Sequence, residues 1–286
     1  MRKTASVIVL IVVLAVGIGV VGYPFISNYL MSLNLNSEVQ TYLNSASDLS
    51  QAQYEEELER AKEYNKSLLG SVDIGDPFGE ETNSDDDYYD ILNLSGTSVM
   101  ACIEIPAIDI KYPVYHGTSD EVLSKGIGHM SSTSLPIGGA GTHAVLTGHT
   151  GYSSSKLFTD IDKLEQGDKF YIYVLNQTLA YEVDQIKVVI PSDTSDLKVE
   201  PEGDYVTLVT CTPYGVNSHR LLVRGKRVPY VEEEKELQAN KLKESTWNDE
   251  YISAIIIGGS VMVGILLVYF VIRIIIKQVG KRKENG

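Results

Sequence analysis

The chain has two cysteines, Cys102 and Cys211, and their surroundings differ. Cys211 lies in Thr207-Leu-Val-Thr-Cys211-Thr-Pro-Tyr-Gly215. Strand alternation puts Thr207, Val209 and Cys211 on one face, and Pro213 with Gly215 ends the strand just past the thiol. A cysteine at a strand end beside a loop can serve as a nucleophile if its neighbours favour the thiolate. Cys102, in Met100-Ala-Cys-Ile-Glu-Ile-Pro106, fits a buried, inert core thiol. A structural disulfide joining the two is the alternative for a domain outside the cell.

Arg220 follows Cys211 by nine residues, across a turn made of Tyr214, Gly215, Val216, Asn217 and Ser218. A loop of that length brings the ends of two antiparallel strands together. A permanently charged guanidinium with fixed donors suits the developing oxyanion of acyl transfer. Alternation separates Arg220, Leu222 and Arg224 from His219, Leu221 and Val223, so His219 and Arg220 compete for the inward position and the pattern leaves the choice open. The acid/base candidate is His149, in Thr147-Gly-His149-Thr-Gly151, where the run His143 to His149 enters a glycine-bracketed turn. An imidazole titrates near neutrality, so it can protonate a leaving amine and deprotonate an incoming one. His143 shares the face of His149, whereas His116 and His129 fall in less regular segments. No CxxC or HExxH pattern points to a metal.

These residues need strands to hold them. Short β-rich runs cover Ala101–Ile105, Ile108–Tyr115, His143–His149, Lys169–Val174, Leu179–Val189, Tyr205–Cys211 and Arg220–Arg227. Such a series, with one helical turn expected at 154–164, predicts a mainly β closed barrel or a sandwich. Residues 37–71 carry apolar side chains at near-helical spacing and predict one or two surface helices. The chain from Val231 to Trp247 is charged and helix-prone, as expected of a stalk.

Two uncharged runs flank this domain. Ala5–Gly22 would span roughly 27 Å and Ile252–Ile272 roughly 32 Å as helices, long enough to cross a bilayer. Arg2 and Lys3 precede the first, and Arg273, Lys277, Lys281, Arg282 and Lys283 lie at or beyond the end of the second, which places both ends in the cytoplasm and the middle outside. Gly17-Ile18-Gly19 leaves open a cleaved signal peptide in place of the first anchor. Of the 38 acidic residues only Glu284 lies in these tails, so the domain between them is more acidic than the chain's formal charge of −14. Such a surface argues against nucleic acid as a partner.

Taken together, Leu146-Thr-Gly-His149, Thr207-Leu-Val-Thr-Cys211-Thr-Pro-Tyr and Asn217-Ser-His-Arg220-Leu-Leu-Val-Arg-Gly resemble the sortase family. Ser134-Leu-Pro-Ile-Gly-Gly139, Lys156-Leu-Phe-Thr-Asp160 and Ala61-Lys-Glu-Tyr-Asn-Lys-Ser-Leu-Leu69 are similar to its pilus-assembling class C branch. The resemblance implies an eight-stranded barrel, a catalytic Cys211–His149–Arg220 site, and neither metal nor organic cofactor. It implies that Cys211 attacks the Thr–Gly bond of a Leu-Pro-x-Thr-Gly-like signal in a secreted pilin. A lysine of another pilin subunit would then take the acyl group as an isopeptide. Asp76-Pro77-Phe78 matches the lid of that branch, with the aspartate reaching toward the cysteine and the aromatic ring near the arginine. Pro77 stiffens the turn between them.

The resulting division is residues 1–29 as anchor or signal-anchor, 30–72 as an extracellular helical region, 73–99 as the lid and 100–230 as the catalytic barrel. A helical stalk at 231–250, a transmembrane helix at 251–273 and a basic cytoplasmic tail at 274–286 complete it. The two apolar runs and the resemblance together imply a multi-pass membrane protein of the Gram-positive cell surface. The competing readings are a housekeeping sortase that anchors proteins to the cell wall, a cysteine L,D-transpeptidase, and a tethered, disulfide-bonded binding domain. Leu135-Pro-Ile-Gly-Gly139 matches a sorting signal only in part and is expected to be a barrel loop.

Overall fold

The computed structural model describes residues 2–68, 74–79, 86–151, 156–239, 256–266, 269–270 and 273. They divide into two units, Met1–Phe25 with Thr246–Gly286, and Ile26–Ser245. Within the first unit, Gly17 lies so close to Met262 that an added Cβ would meet its sulfur at 3.2 Å. Among the described residues no helix is long and apolar enough to cross a membrane. Much of 251–273, where the second span is expected, lies outside those residues, although 256–266 is helical.

The second unit contains a closed eight-stranded barrel. Its strands are β1 (Val99–Ile105), β2 (Ile110–His116), β3 (Ile127–His129), β4 (Thr142–Thr147), β5 (Lys169–Val174), β6 (Gln177–Val189), β7 (Asp204–Thr212) and β8 (His219–Val228). The order around the barrel is β1-β2-β3-β4-β7-β8-β6-β5. The pairs β2/β3 and β4/β7 are parallel, and the other neighbours are antiparallel. Closure removes the free edges that an open sheet would expose. The sequence left barrel and sandwich open, and the observed order settles on the barrel. β3 was not foreseen: Ile127-Gly-His129 is too short and too weakly apolar to register as a strand, yet it carries the crossover between β2 and β4. His116 and His129 therefore sit in strands, not in irregular segments. The helical turn expected at 154–164 is a 3-10 turn at Thr159–Lys163.

Besides the helical stretch at 256–266, the described residues include α1 (Arg2–Ser47), α2 (Gln51–Ser67), α3 (Asp86–Asp90), α4 (Asp120–Lys125) and α5 (Glu232–Ala239). α1 runs unbroken past residue 29, where the sequence was divided into anchor and helical region. α2 starts on a reciprocal cap between Ser50 and Gln53, which satisfies amides that the first turn leaves open. α4 begins on Ser119 and carries Asp120 and Glu121 in its first turn, where the helix dipole favours negative charge.

Alternation divides the apolar residues into three packed groups. One group, which includes Leu146, Leu208 and Val223, fills the barrel. A second lies where α1 packs against the outside: Val39, Tyr42 and Ala46 meet Val99, Cys102 and Tyr115. The Tyr42 hydroxyl donates to the Met100 carbonyl (2.7 Å) and accepts from the Leu175 amide (3.1 Å), which pins the helix to the wall. The third group, Met130, Val145, Leu197, Val209 and Leu222, is on the outer face of β4, β7 and β8 and is joined by Ile74, Phe78 and Val189. Both sides of β7 are thus covered, which is why it reads as a nearly continuous buried run.

Candidate active site

The third apolar group is the floor of the site, and strand register builds the rest above it. Cys211 on β7 pairs with Arg220 on β8, and two residues earlier Val209 pairs with Leu222. On the other side of β7, Thr147 pairs with Val209. The Gly148 amide continues this ladder to the Val209 carbonyl at 3.1 Å, so His149 follows as the next outward residue beside Cys211. Two full rungs result, Val145–Thr207–Arg224 and Thr147–Val209–Leu222; beyond them Cys211 pairs with Arg220, and His149 lies two residues past Thr147 at the same end of the sheet.

The turn carrying His149 is held at several points. Thr210 Oγ1 donates to the Gly148 carbonyl (2.7 Å), and the Phe158 amide donates to the His149 carbonyl (3.1 Å). Gly148 is required here: a Cβ would meet Ile127 Cδ1 at 2.7 Å and the Phe158 ring at 2.8 Å.

The structure resolves the choice between His219 and Arg220. Leu222, two residues from Arg220, packs in the outer group, whereas Leu221 and Val223 enter the barrel. Arg220 thus shares the outer face with Cys211. His219 pairs with Thr212 instead and places its Nδ1 2.9 Å from Ser218 Oγ. His143 is on the same face as His149 but is buried, with Nδ1 and Nε2 engaged by the Lys198 carbonyl and Thr207 Oγ1.

Asp76, Pro77 and Phe78 close over this face. Asp76 receives two hydrogen bonds from Arg220, Nε to Oδ1 at 2.9 Å and an Nη to Oδ2 at 2.7 Å, in the forked geometry that suits guanidinium and carboxylate. The Phe78 ring lies 4.9 Å from Arg220 Cζ and 5.6 Å from the His149 ring, so it bridges the two residues flanking Cys211. Pro77 occupies the turn in which the Gly79 amide donates to the Asp76 carbonyl at 2.8 Å.

Burial pushes the Cys211 thiol up; the Arg220 charge opposes this and the Asp76 charge adds to it. Burial pulls the His149 imidazole down, against a weaker upward pull from Asp120. With Asp76 in place both shifts favour the neutral thiol–imidazole pair over thiolate and imidazolium. Arg220 is held charged by its bonds to Asp76.

Both cysteines are free. Cys102 is buried beneath α1 and its thiol is pushed up to about 12 by burial, as expected of an inert core residue. The disulfide-bonded binding domain is thereby set aside. Residue reasoning missed most of the apolar floor. Val209 and Leu222 were readable by stepping two residues from Cys211 and Arg220, but Met130 and Leu197 arrive from loops to which no periodicity points. Asp120, from the first turn of α4, was also missed as the charge that acts on His149.

Residues 103–228 match the Sortase domain model. The structure resembles sortase C1 of Streptococcus agalactiae, with a TM-score of 0.65 and 42% identity over 71% of this chain and 99% of that one. It also resembles sortase C-1 from Actinomyces oris, with a TM-score of 0.59 and 48% identity over 62% of this chain and 98% of that one. Sortase D of Bacillus subtilis is 31% identical over 129 residues, which cover 44% of this chain and 62% of the relative. Sortase A of Bacillus anthracis is 30% identical over 136 residues, which cover 48% and 63% respectively. The chain thus spans under two thirds of the length of these two relatives. His149, Cys211 and Arg220 all lie within the matched residues 103–228, and the chain belongs to the sortase family, with class C sortases among its solved neighbours.

Proposed function

We propose that this chain is a cysteine transpeptidase that cuts a Leu-Pro-x-Thr-Gly-like signal between Thr and Gly and passes the acyl group to a lysine amine of a pilin subunit. The observation that carries the reading is the pairing of Cys211 with Arg220 at the ends of β7 and β8, with His149 two residues past the end of β4 and the Phe78 ring set against both Arg220 and His149. Once Asp76 and Phe78 withdraw, Cys211 gives its proton to His149 and its sulfur attacks the threonine carbonyl. The oxygen becomes an oxyanion beside Arg220, whose donors, freed from Asp76, stabilise it. Collapse breaks the C–N bond, His149 protonates the departing glycine amine, and a thioester remains. An incoming lysine amine attacks the thioester, loses its proton to His149, and leaves an isopeptide bond and a free thiol.

The hold of Asp76 on Arg220 supports a self-inhibited resting form, and the class C neighbours favour pilin polymerisation over cell-wall anchoring. The two uncharged terminal runs and their basic flanks support a multi-pass membrane protein with the barrel outside the cell. Mass spectrometry tests the reaction. The full chain carrying Asp76→Ala and Phe78→Ala is mixed with a Leu-Pro-x-Thr-Gly peptide, with and without Cys211→Ala. An adduct on Cys211 equal to the peptide less its glycine-containing tail is expected. Its absence across several signal variants would sink the assignment. Adding a lysine-bearing or an oligoglycine acceptor then separates polymerisation from anchoring.

A further inference from the structure

Thr147 occupies the rung directly beneath the catalytic one, beside Val209 and on the same outward face as Val145. It is fully buried, and its hydroxyl oxygen has no hydrogen-bond partner among the described residues. A valine would fill the same space without leaving an unsatisfied polar atom. An unpaired buried hydroxyl costs stability and calls for an explanation. Its neighbours in the floor, Val209 and Leu222, pack with Ile74 and Phe78, the residues that cover this face in the resting form.

Resting on the proposed acyl transfer, we infer that Thr147 is a positioning residue whose hydroxyl donates a hydrogen bond to the backbone of the bound signal peptide, two residues before the scissile carbonyl. The spacing follows from the strands. A peptide lying extended along β4 and β7, with its threonine carbonyl over the Cys211 rung, advances roughly 7 Å in two residues, one rung of the ladder beneath it. The residue reaching the Thr147 rung is the proline of Leu-Pro-x-Thr-Gly. Proline offers a carbonyl and no N–H, so the hydroxyl must be the donor. The bond would fix the peptide's register, and with it the position of the reacting carbon over the thiol.

The test uses the full chain with Asp76→Ala and Phe78→Ala, adding Thr147→Val or Thr147→Ser. Thr147→Val is expected to raise the melting temperature by a few degrees and yet lower kcat/KM for the Leu-Pro-x-Thr-Gly peptide by about tenfold, chiefly through KM. Thr147→Ser should keep most of the activity. Replacing the proline carbonyl of the peptide by a thioamide should penalise the threonine protein but not the valine variant. A fall in melting temperature for Thr147→Val would reveal a structural partner for the hydroxyl and overturn the inference. Unchanged kcat/KM would overturn it too. Failure of the threonine parent to form any Cys211 adduct would instead strike the acyl-transfer reading, so the two failures are separable.

Discussion

Removing the Asp76 carboxylate should convert the resting site into a reactive one, and the size of the effect can be worked out. Asp76→Ala deletes two charge-assisted hydrogen bonds to Arg220, of 2.9 and 2.7 Å. The pair is only partly withdrawn from water, with the arginine side chain 11% exposed and the aspartate 24%. Discounting for solvent screening leaves about 2 kcal/mol of closing energy. At 1.4 kcal/mol per decade this shifts the open-to-closed ratio by about 30-fold. A second effect acts in the same direction. Asp76 helps to raise the thiol of Cys211 while Arg220 lowers it, so without the carboxylate the thiolate forms at lower pH. Alkylation of Cys211 by iodoacetamide, followed across a pH series, should therefore accelerate about 30-fold, with the midpoint of its pH profile displaced downward. Asp76→Asn should fall between, because it keeps the size and loses the charge. A rate within twofold of the parent and an unmoved midpoint would refute the view that this ion pair restrains the nucleophile.

Other expectations follow from the same geometry. Thiol reagents should label Cys211 and spare Cys102 in the folded chain, because the latter is buried and its thiol is pushed up to about 12; peptide mapping of the labelled protein checks this. Gly148→Ala should destabilise the fold by about 1–3 kcal/mol in urea unfolding and depress peptide cleavage, since its methyl meets Ile127 and the Phe158 ring below 3 Å and displaces His149. His129 is fully buried and its imidazole is pulled down to about 3 by burial, so its contribution is complete above the unfolded value of 6.5 and declines as pH falls from there toward 3. Between pH 7 and pH 5 this amounts to about 2 kcal/mol. His129→Asn should flatten the pH dependence of unfolding by that amount, and an unaltered slope would argue against it.

The sequence carried the chemistry further than the architecture. Cys211 and Arg220 were legible as strand-end neighbours because a single hairpin joins them, and such local pairing follows from alternation and loop length. His149 was legible as a turn residue, but its place beside Cys211 depends on β4 and β7 pairing in parallel across more than fifty intervening residues, which no local pattern encodes. β3 escaped because three residues with a central glycine give no period. The inward-or-outward ambiguity at His219 and Arg220 has the same cause: alternation divides a strand into two faces but does not say which one meets the barrel interior. The floor residues Met130 and Leu197 lie in loops, where burial depends on what the rest of the chain brings over them.

The helices before and after the covering residues in the chain, α2 and α3, are moored to one short stretch of the wall. On the α2 side Asn65 exchanges hydrogen bonds with both the amide and the carbonyl of Leu135, and the Tyr64 hydroxyl donates to the Ser131 carbonyl. On the α3 side the Tyr88 hydroxyl reaches the carbonyl and Nδ1 of His129 and accepts from the Gly117 amide, and the rings of Tyr64 and Tyr88 lie 5.6 Å apart. On the self-inhibited reading, Asp76 and Phe78 act as a ligand carried on the same chain and so always present at a fixed effective concentration. A peptide free in solution competes against that concentration and not merely against an affinity, so dilution never relieves the block. On the proposed membrane placement, a substrate confined to the same surface as the barrel would gain a comparable local concentration. On these terms a blocking group carried by the chain itself would select for where a substrate is presented as much as for what it is.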